Sequence, residues 1–586
     1  MVFRHSYALT GAFVWLLMLL TACSENPQSG ETGDPAVRDA VIYPAKNIIT
    51  MASPGETAEA LVVAKGRILD LGRLEDLMQR YPGVLVDSSF VDKVIVPGFI
   101  DPHMHVLLGG LLYSQAFAPP WPMATPAGMM PGFPTRESFI ARLNEIVAQS
   151  PDDGSPIVVY GYHNLIQGDL DRHHLDAVTT TRPLVVWHYS AHDFYFNSAG
   201  LEAIGVTPEL SQQYHGIDLD AEGNLSGRIY EDAALFVFQA LQSTFFDPVK
   251  LGRGIKAYFD ILRAAGVTTT ADLGYGVLGR SNEDRTISAF WSLENSGFRL
   301  YLVPEFRAMA REFGEGAPQA VLDLVSGKLP APAPVLPRVK FFADAAFYSQ
   351  TMRLSAPGYL HGQSSGSEGL WVIAQGQIAS TMQPYLEAGL GAHIHSNGDA
   401  AQSASLEALA SLRSAGFTSD FVIEHGGLFS PAHISRTTEL GAMVSVASHY
   451  VYYLSGQYAK ALGPERAGWI TPTGALSRNG TVVALHSDAP LAPPQPLRAA
   501  GAHITRLTRE GTVYRPEQAL THYDALEAIT LDSARVLGLQ GEMGSIEKGK
   551  RADLTILYAN PLETPGNQWA DIRIWGVLLD GEKKPL

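Results

Sequence analysis

Short apolar runs that end in polar residues recur along the middle of the chain, and they constrain the fold more than any other feature. Eight of them alternate with segments of helical periodicity: GFIDPHMH, GVTTTADLG, RLYLVPEF, RVKFFADAA, LGAHIHSNGD, DFVIEHGG, GAMVSVASH and TVVALHSDAP. Strands that alternate with helices are typical of parallel βα units, and eight such units predict an α/β fold of the (β/α)8 barrel type. The functional site of that fold lies at the carboxyl ends of the strands, where these polar residues would meet.

Two further runs, PIVVYGYHN and PLVVWHYSAHD, also have the apolar character of strands. We assign them to a large insertion at about residues 110–250, between the first and second strands of the barrel. If one of them instead belonged to the barrel, the count of eight would change by one.

Strand patterns near both ends of the chain predict a second, smaller domain. Short apolar runs bounded by turn residues occur in AVIYPAKNIITM, EALVVAKGRILDLG and GVLVDSSF, and they return only in GSIEKGKRADLTILYANP and IRIWGVLLDGEKK. The simplest interpretation is a β domain assembled from residues 39–96 and 536–586, with the barrel at residues 97–535 inserted between them.

The amino terminus has the pattern of an export signal. A basic Arg4 precedes an apolar run that is too short to span a bilayer comfortably, and small residues follow it. The segment LTAC, which ends at Cys23, resembles the lipobox of bacterial lipoproteins, in which the cysteine carries the lipid and becomes the first residue of the mature protein. We predict a signal peptide at residues 1–22, lipidation of Cys23 and a flexible tether at residues 23–38. An ordinary signal peptide with an incidental cysteine is the alternative.

The predicted lipid anchor sets the expected location. It would hold the protein at the bacterial cell envelope through a membrane contact at its amino terminus, facing an extracytoplasmic space. Ser24, and not an aspartate, follows the cysteine. We therefore favour the outer membrane or periplasm over retention at the inner membrane.

Composition excludes some partners and some kinds of site. The 42 Lys and Arg residues against 59 Asp and Glu residues give a net charge of −17, and no basic run is long enough to follow a phosphate backbone, so we expect no nucleic-acid partner. The single cysteine excludes an intramolecular disulfide and a cysteine-rich zinc site. A metal ion would have to be bound by His, Asp or Glu side chains or by a modified Lys.

The first of the eight runs carries two histidines where it ends. Residues two apart in a strand point to the same side, so His103 and His105 can converge on one ion, although two structural histidines are the alternative. Later strand ends strengthen the metal interpretation, because each offers a further ligand type: Lys340, His395, His425 and Asp488.

Several segments together resemble a known family. They are PGFIDPHMH, the HxHxxGD pattern of His393 to Asp399, IEH, HSDAP and the closing GSIEKGKRADLTIL. They resemble the metal-dependent amidohydrolases, and among these the amidohydrolase family 3 branch, similar to N-substituted formamide deformylases. The resemblance covers the chain from about residue 40 to its end. It implies a TIM barrel beside a small β-sandwich domain built from both chain ends, which matches the two-ended β domain inferred above.

The resemblance also implies a centre of two divalent metal ions, for which zinc suits the His-rich, oxygen-bridged ligand set best. Its implied ligands are His103 and His105 on one ion, His395 and His425 on the other, an N6-carboxylated Lys340 as the bridge, and Asp488. Two such ions acidify a bridging water and polarise the scissile carbonyl, and Asp488 can take the proton and deliver it to the departing amine. If Lys340 is an ordinary ammonium, a mononuclear site on the remaining ligands is the alternative.

Three other histidines receive different interpretations. His192, in HYSAHDFYFNSAG, matches a histidine common in the insertion of this branch and is a candidate for substrate contact, with a packing role as the alternative. His393 and His486 each lie two residues before a predicted ligand, and we interpret both as neighbours of the metal ligands. LSGRIYEDA, which contains Glu231, resembles another piece of the same insertion.

The leading functional hypothesis is hydrolysis of a carbon–nitrogen bond in a small-molecule amide, formamide or cyclic amide by attack of metal-bound hydroxide. The same site could hydrolyse an ester or a lactone, and a catalytically inactive, ligand-binding lipoprotein is the third hypothesis. The fold does not identify the substrate, because the loops decide it. A homodimer is left open.

Overall fold

The computed structural model describes residues 39–125 and 128–586. The predicted signal peptide, Cys23 and the tether lie outside these residues. The longer α-helices are Leu74–Arg80, Val106–Tyr113, Arg136–Gln149, Ser198–Ile204, Ala234–Ala240, Pro248–Ala264, Arg280–Phe290, Phe306–Phe313, Ala317–Val325, Ile378–Glu387, Asp399–Ser414, Pro431–Glu439, Ser455–Leu462, Pro496–Thr505, His522–Ala528 and Leu531–Leu537.

Each of the eight predicted runs forms a strand, and we call these the central strands, numbered in chain order. They are Phe99–Met104, Val267–Tyr275, Arg299–Pro304, Arg338–Phe342, Gly391–Ser396, Phe421–His425, Met443–Ala447 and Val483–His486. Nearly all of their side chains are buried, as expected for parallel strands covered by helices.

The central strands pair in parallel and in chain order. The first three form one sheet and the last five another. Isolated parallel bridges join the two sheets at both edges, between Glu305 and Lys340 and between Met104 and Ala489. All carboxyl ends of these strands therefore lie on one side, as the α/β pattern in the sequence predicts.

Strands from both chain ends form one mixed sheet. Its members are Val41–Ile49, Thr57–Ala64, Arg67–Gly72, Leu85–Val86, Phe90–Pro97, Leu554–Leu557, Ile574–Leu579 and Glu582–Pro585. Phe90–Pro97 pairs parallel with the first of these strands and antiparallel with Leu554–Leu557, so it joins the amino-terminal strands to the carboxyl-terminal ones. Ile48, Ile95 and Ile556 pack together in one apolar cluster. Among the described residues this is one sheet, and its division into a two-layer sandwich stays a prediction.

Only Gly98 separates this end-to-end sheet from the first central strand. A side chain at this position would collide with the hydroxyl of Thr268 on the second central strand. Glycine therefore allows the two sheets to approach each other closely where the chain passes from one to the other.

The insertion after the first central strand contains its own sheet. The sheet consists of Ala116–Phe117, Ile157–Tyr162, Leu184–His188, Asp193–Phe196, Ile217–Leu219 and Leu225–Tyr230, and Met123–Thr125 pairs separately with Gly128–Met130. The runs PIVVYGYHN and PLVVWHYSAHD supply two of its strands, as their assignment to the insertion predicts. In the part of the chain described here, no helix combines the length and apolar character needed to cross a bilayer.

Candidate metal centre

The residues predicted to bind metal line one cavity of about 640 Å³ at the carboxyl ends of the central strands. The predicted residues on its wall are His103, His105, Lys340, His395, His425, Asp488 and His192. They come from five central strands or the turns that directly follow them, and from the insertion. The cavity volume lies in the range usual for small-molecule sites.

His103, His105 and Asp488 are three predicted ligands that the structure brings together. One ligand atom of each lies within 4.8 Å of the others. Asp488 Oδ1 is 3.2 Å from His105 Nε2 and 3.5 Å from His103 Nε2. Two imidazole nitrogens thus face one carboxylate oxygen, an arrangement that suits a divalent ion coordinated by nitrogen and oxygen.

A second group contains His103, His425 and His486, again with ligand atoms within 4.8 Å of one another. His486 Nε2 lies 3.3 Å from His425 Nδ1, and the Asp488 carboxylate lies 3.6 Å from the same Nδ1. The sequence-based interpretation made His486 a neighbour of the ligands. In the structure, a ring nitrogen of His486 lies within 4.8 Å of one of His103, the same limit that the predicted ligands His105 and Asp488 meet.

His395 lies in the same cavity but in neither group. Its ring centroid is 4.3 Å from that of His425. Its Nε2 is 2.9 Å from the side-chain amide nitrogen of Asn397 and 3.1 Å from the carbonyl oxygen of Ala345. Binding of a metal through this nitrogen would therefore replace the local hydrogen bonds.

Lys340 is the residue for which the family resemblance implies a bridging role. Its side chain is fully buried, and Nζ has no hydrogen-bond partner among the described residues. Burial lowers the pKa of this amine to about 8, against the opposing charges of Glu424, Asp488 and Glu305. About a tenth of the amine is therefore neutral at pH 7, far more than for an ordinary lysine, and the neutral form is the one that reacts with CO₂ to give a carbamate.

Glu424 orients two histidines through hydrogen bonds, a role that the sequence analysis did not identify. The Nδ1 of His103 donates to Oε2 of this buried carboxylate (2.7 Å), and the Nδ1 of His393 donates to Oε1 (2.6 Å). Burial raises the pKa of Glu424, but the bonds from both histidines and the charge of Lys340 outweigh it and hold the pKa well below its usual range. With its proton on Nδ1, His103 presents the lone pair of Nε2 to the cavity.

Two residues of the centre have left-handed backbone conformations. His425 has a φ of 69° and Asp488 a φ of 54°, values uncommon for residues other than glycine. In a regular strand, Glu424 and His425 would point to opposite sides. The turn at His425 brings both of them to the ring of His103, and such strain is often found at functional sites.

Asp272 supports His105 from the second central strand. Its Oδ1 lies 3.5 Å from His105 Nδ1, and its Oδ2 accepts from the backbone N–H of Val106 (2.8 Å). Burial lowers the pKa of His105, but the bonds to Asp272 and Asp488 outweigh it and raise the pKa to about 9. The ring is thus held between two carboxylates.

The rest of the cavity wall is largely apolar. Leu107 and Leu108 follow the first central strand, Leu235 and Phe238 come from a helix of the insertion, and Trp371 lies between the fourth and fifth central strands. An apolar wall beside a few converging polar groups is typical of sites for small organic molecules.

Comparisons with known proteins indicate the family to which the chain is related. The amidohydrolase family model (Amidohydro_3) matches residues 92–583. The chain is 25% identical to Protein LONG AFTER FAR-RED 3 of Arabidopsis thaliana over 92% of this chain and 90% of that protein. It is 23% identical to the N-substituted formamide deformylase of Arthrobacter pascens over 93% and 98% of the two chains.

A solved structure shares the fold. The crystal structure of an uncharacterized metal-dependent hydrolase from Pyrococcus horikoshii superposes with a TM-score of 0.66 at 21% identity, covering 90% of this chain and 99% of that one. At this identity the likeness concerns the fold alone.

Proposed function

Because the chain belongs to the amidohydrolase family, we propose that it is a metal-dependent hydrolase that cleaves a carbon–nitrogen bond in a small amide, formamide or cyclic amide. The observation that carries the proposal is the group of His103, His105 and Asp488 beside the buried amine of Lys340 in one cavity. The proposal includes closure of the central strands into a (β/α)8 barrel and folding of the end-to-end sheet as a β-sandwich.

The donor set fits a centre of two divalent ions, for which we propose zinc. His103, His105 and Asp488 would hold one ion, and His425 with His395 would hold the other, with Lys340 bridging them as a carbamate. His486 is placed to replace His395, since its Nε2 lies 3.3 Å from His425 Nδ1. Such ions would polarise a substrate carbonyl and make a coordinated water more acidic.

Asp488 is the proposed proton carrier. Burial raises its pKa, but His103 and His105 outweigh burial and hold the pKa well below the usual range, so the carboxylate is ionised and able to accept a proton. The carboxylate would take the proton of the attacking water and deliver it to the leaving nitrogen. His192 lines the same cavity and is proposed to contact the substrate.

The test combines elemental analysis with a substrate panel. Protein purified without chelator should contain clearly more than one equivalent of divalent metal. The metal-replete protein should hydrolyse members of a panel of amides, formamides and cyclic amides faster than the matching esters and lactones. Full activity after complete metal removal would refute the metal-dependent mechanism. A metal-replete protein that is inactive on the whole panel would favour a binding role.

We also propose that Cys23 is lipidated and anchors the mature protein at a bacterial envelope membrane. The proposal rests on the LTAC sequence alone, since these residues lie outside the described structure. Cys23→Ser should move the protein from the membrane fraction to the soluble fraction. A variant that is processed normally and stays with the membrane would contradict the lipobox.

A further inference from the structure

Glu231 contacts His192 at two points. It directly follows the insertion strand Leu225–Tyr230 and has a φ of 47°, in the left-handed region. Its backbone N–H donates to the carbonyl oxygen of His192 (3.1 Å), and its Oε2 accepts from Nδ1 of His192 (3.0 Å). Glu231 thus adopts a backbone conformation that costs free energy while it makes two hydrogen bonds to His192, a residue of the cavity wall.

The other oxygen of the Glu231 carboxylate is held by a different part of the chain. Thr351 Oγ1 donates to Oε1 (2.7 Å) while accepting from the backbone N–H of Ala346 (3.0 Å). Thr351 lies in the segment after the fourth central strand, which carries Lys340. Both carboxylate oxygens therefore have a partner, and the Glu231–Thr351 bond joins the insertion to the central strands.

We propose that Glu231, held by Thr351, is a positioning residue that keeps Nδ1 of His192 directed at its own carboxylate and Nε2 directed into the cavity, where His192 donates a hydrogen bond to the oxygen of the scissile carbonyl. This inference rests on the hydrolase function proposed above. About a third of the His192 side chain is exposed, and it shares the cavity wall with Asp488. Negative charge develops on the carbonyl oxygen during hydrolysis, so an aligned donor there stabilises the transition state.

The charges around His192 favour the form with both ring nitrogens protonated. Burial lowers the pKa of His192, but the charge and hydrogen bond of Glu231 outweigh it and raise the pKa above the usual value. Burial raises the pKa of Glu231, but His192 and the Thr351 hydroxyl outweigh it and lower the pKa to about 2. Other titratable or charged groups that act on His192 or are affected by it include Asp193 in its ion pair with Arg228, Asp488, His188 and His395, and Asp232, Lys340 and Asp344 line the same cavity.

The proposal makes a signed prediction for the pH dependence of kcat. With its Nδ1 proton directed at Glu231, a neutral His192 has no proton on Nε2, so donation requires the imidazolium. The imidazolium is present below the pKa of His192 and is lost as the pH rises through it. The wild-type enzyme should therefore show a fall in kcat at high pH that reports this group.

Glu231→Gln tests the coupling directly. The glutamine side chain is nearly the same size and can still bond Thr351, but it removes the charge that favours the imidazolium. We expect kcat to fall by at least about tenfold, KM to change little, and the alkaline fall in kcat to begin at a lower pH than in the wild type. An unchanged alkaline fall would refute the role of Glu231, whatever the overall rate.

Two further comparisons separate positioning from a purely structural role. Thr351→Val should lower kcat. The matched control Thr351→Ser keeps the hydroxyl, so its kcat should stay close to that of the wild type. In the His192→Gln background, Glu231→Gln should cause no further loss, because the carboxylate acts through the imidazole. Independent, multiplicative losses in the double variant would refute the proposal.

A measurement without turnover keeps this inference separate from the proposed function. In histidine-labelled, metal-replete protein, the NMR titration of His192, assigned by its absence in His192→Gln, should shift to lower pH in Glu231→Gln. If the wild type hydrolysed nothing on the panel, the proposed function would fail and this titration would still test the coupling. If hydrolysis occurred but the titration did not move, the coupling alone would fail.

Discussion

Replacing Glu424 with glutamine should weaken metal binding without a direct change to any ligand. The carboxylate accepts one hydrogen bond on each oxygen, from His103 and from His393. A glutamine amide has one oxygen and one NH₂ group, so it can accept from only one of the two rings. Where the NH₂ group faces His103, Nδ1 must become the acceptor and the ring proton must move to Nε2. That tautomer has no lone pair on Nε2 for a metal.

The expected magnitude follows from the number of ligands affected. His103 belongs to both candidate ligand groups and donates to Glu424, and Nδ1 of His486, in the second group, lies 3.5 Å from the same carboxylate. The hydrogen bond of His103 is therefore the one perturbed directly, and no candidate ligand is removed. Loss of such a supporting carboxylate costs about 10-fold to 100-fold in metal affinity. This corresponds to about 1.4 to 2.7 kcal/mol of binding free energy.

The assay is competition for Zn²⁺ between the metal-free protein and a chromophoric chelator, with thermal melting of both metal-free proteins to show that the fold is retained. Glu283→Gln is the matched control. Glu283 is a buried carboxylate of the same cavity that accepts from the backbone N–H groups of Gly276 and Leu278 and from no histidine. It should leave the affinity nearly unchanged. A Glu424→Gln variant that melts like the wild type and binds Zn²⁺ equally well would refute this reasoning.

Three other predictions concern single side chains. Asp488→Asn should lower kcat by about 100-fold to 10,000-fold in protein that retains its metals and its melting temperature, because asparagine cannot accept the proton; kcat close to that of the wild type would move the general base elsewhere. The carbamate of Lys340 should give a ¹³C NMR signal after exposure to ¹³CO₂ that is missing in Lys340→Ala, and Lys340→Ala should regain part of its metal content with added propionate. A wild type without the signal would favour the mononuclear site. Burial and the charge of Arg509 lower the pKa of His163 to about 3, so the unfolded chain binds a proton that the folded chain does not. The free energy of unfolding therefore falls as the pH drops below 6.5, with a slope that approaches about 1.4 kcal/mol per pH unit. His163→Phe should remove that contribution from urea unfolding compared at about pH 6 and pH 5, and an equal slope in both proteins would contradict it.

The order and position of the central strands could be predicted from the sequence because their signal is local. Each is a short apolar run bounded by turn residues, and the polar residue at its end marks the carboxyl edge. The presence of six candidate ligands in one cavity follows from that edge alone, as the structure shows for His103, Lys340 and Asp488. Periodicity within a strand was sufficient for this part of the prediction.

The partners of those ligands could not be predicted in the same way. Periodicity places Glu424 and His425 on opposite sides of a strand, but the left-handed turn at His425 brings both to His103. The IEH segment contained the signal, since a carboxylate next to a ligand histidine is a candidate for orienting another ligand. The contact of Glu231 with Thr351 depends on how the insertion folds over the strand ends. The two residues are 120 positions apart in the chain, so no local sequence pattern predicts their contact.

The sheet built from amino-terminal and carboxyl-terminal strands cannot be completed until strands late in the sequence, such as Leu554–Leu557, have been made. The backbone N–H of Phe99, in the strand that leads to His103, donates to Thr555 Oγ1, 456 positions further along the chain. Contacts this distant form slowly, because a long loop must close before they stabilise anything. During synthesis the strand Phe90–Pro97 cannot pair with its partner Leu554–Leu557 until the residues between them have been made. A ribosome that stalls before residues 554–557 would therefore leave the first central strand without part of its support, although every proposed ligand had already been translated.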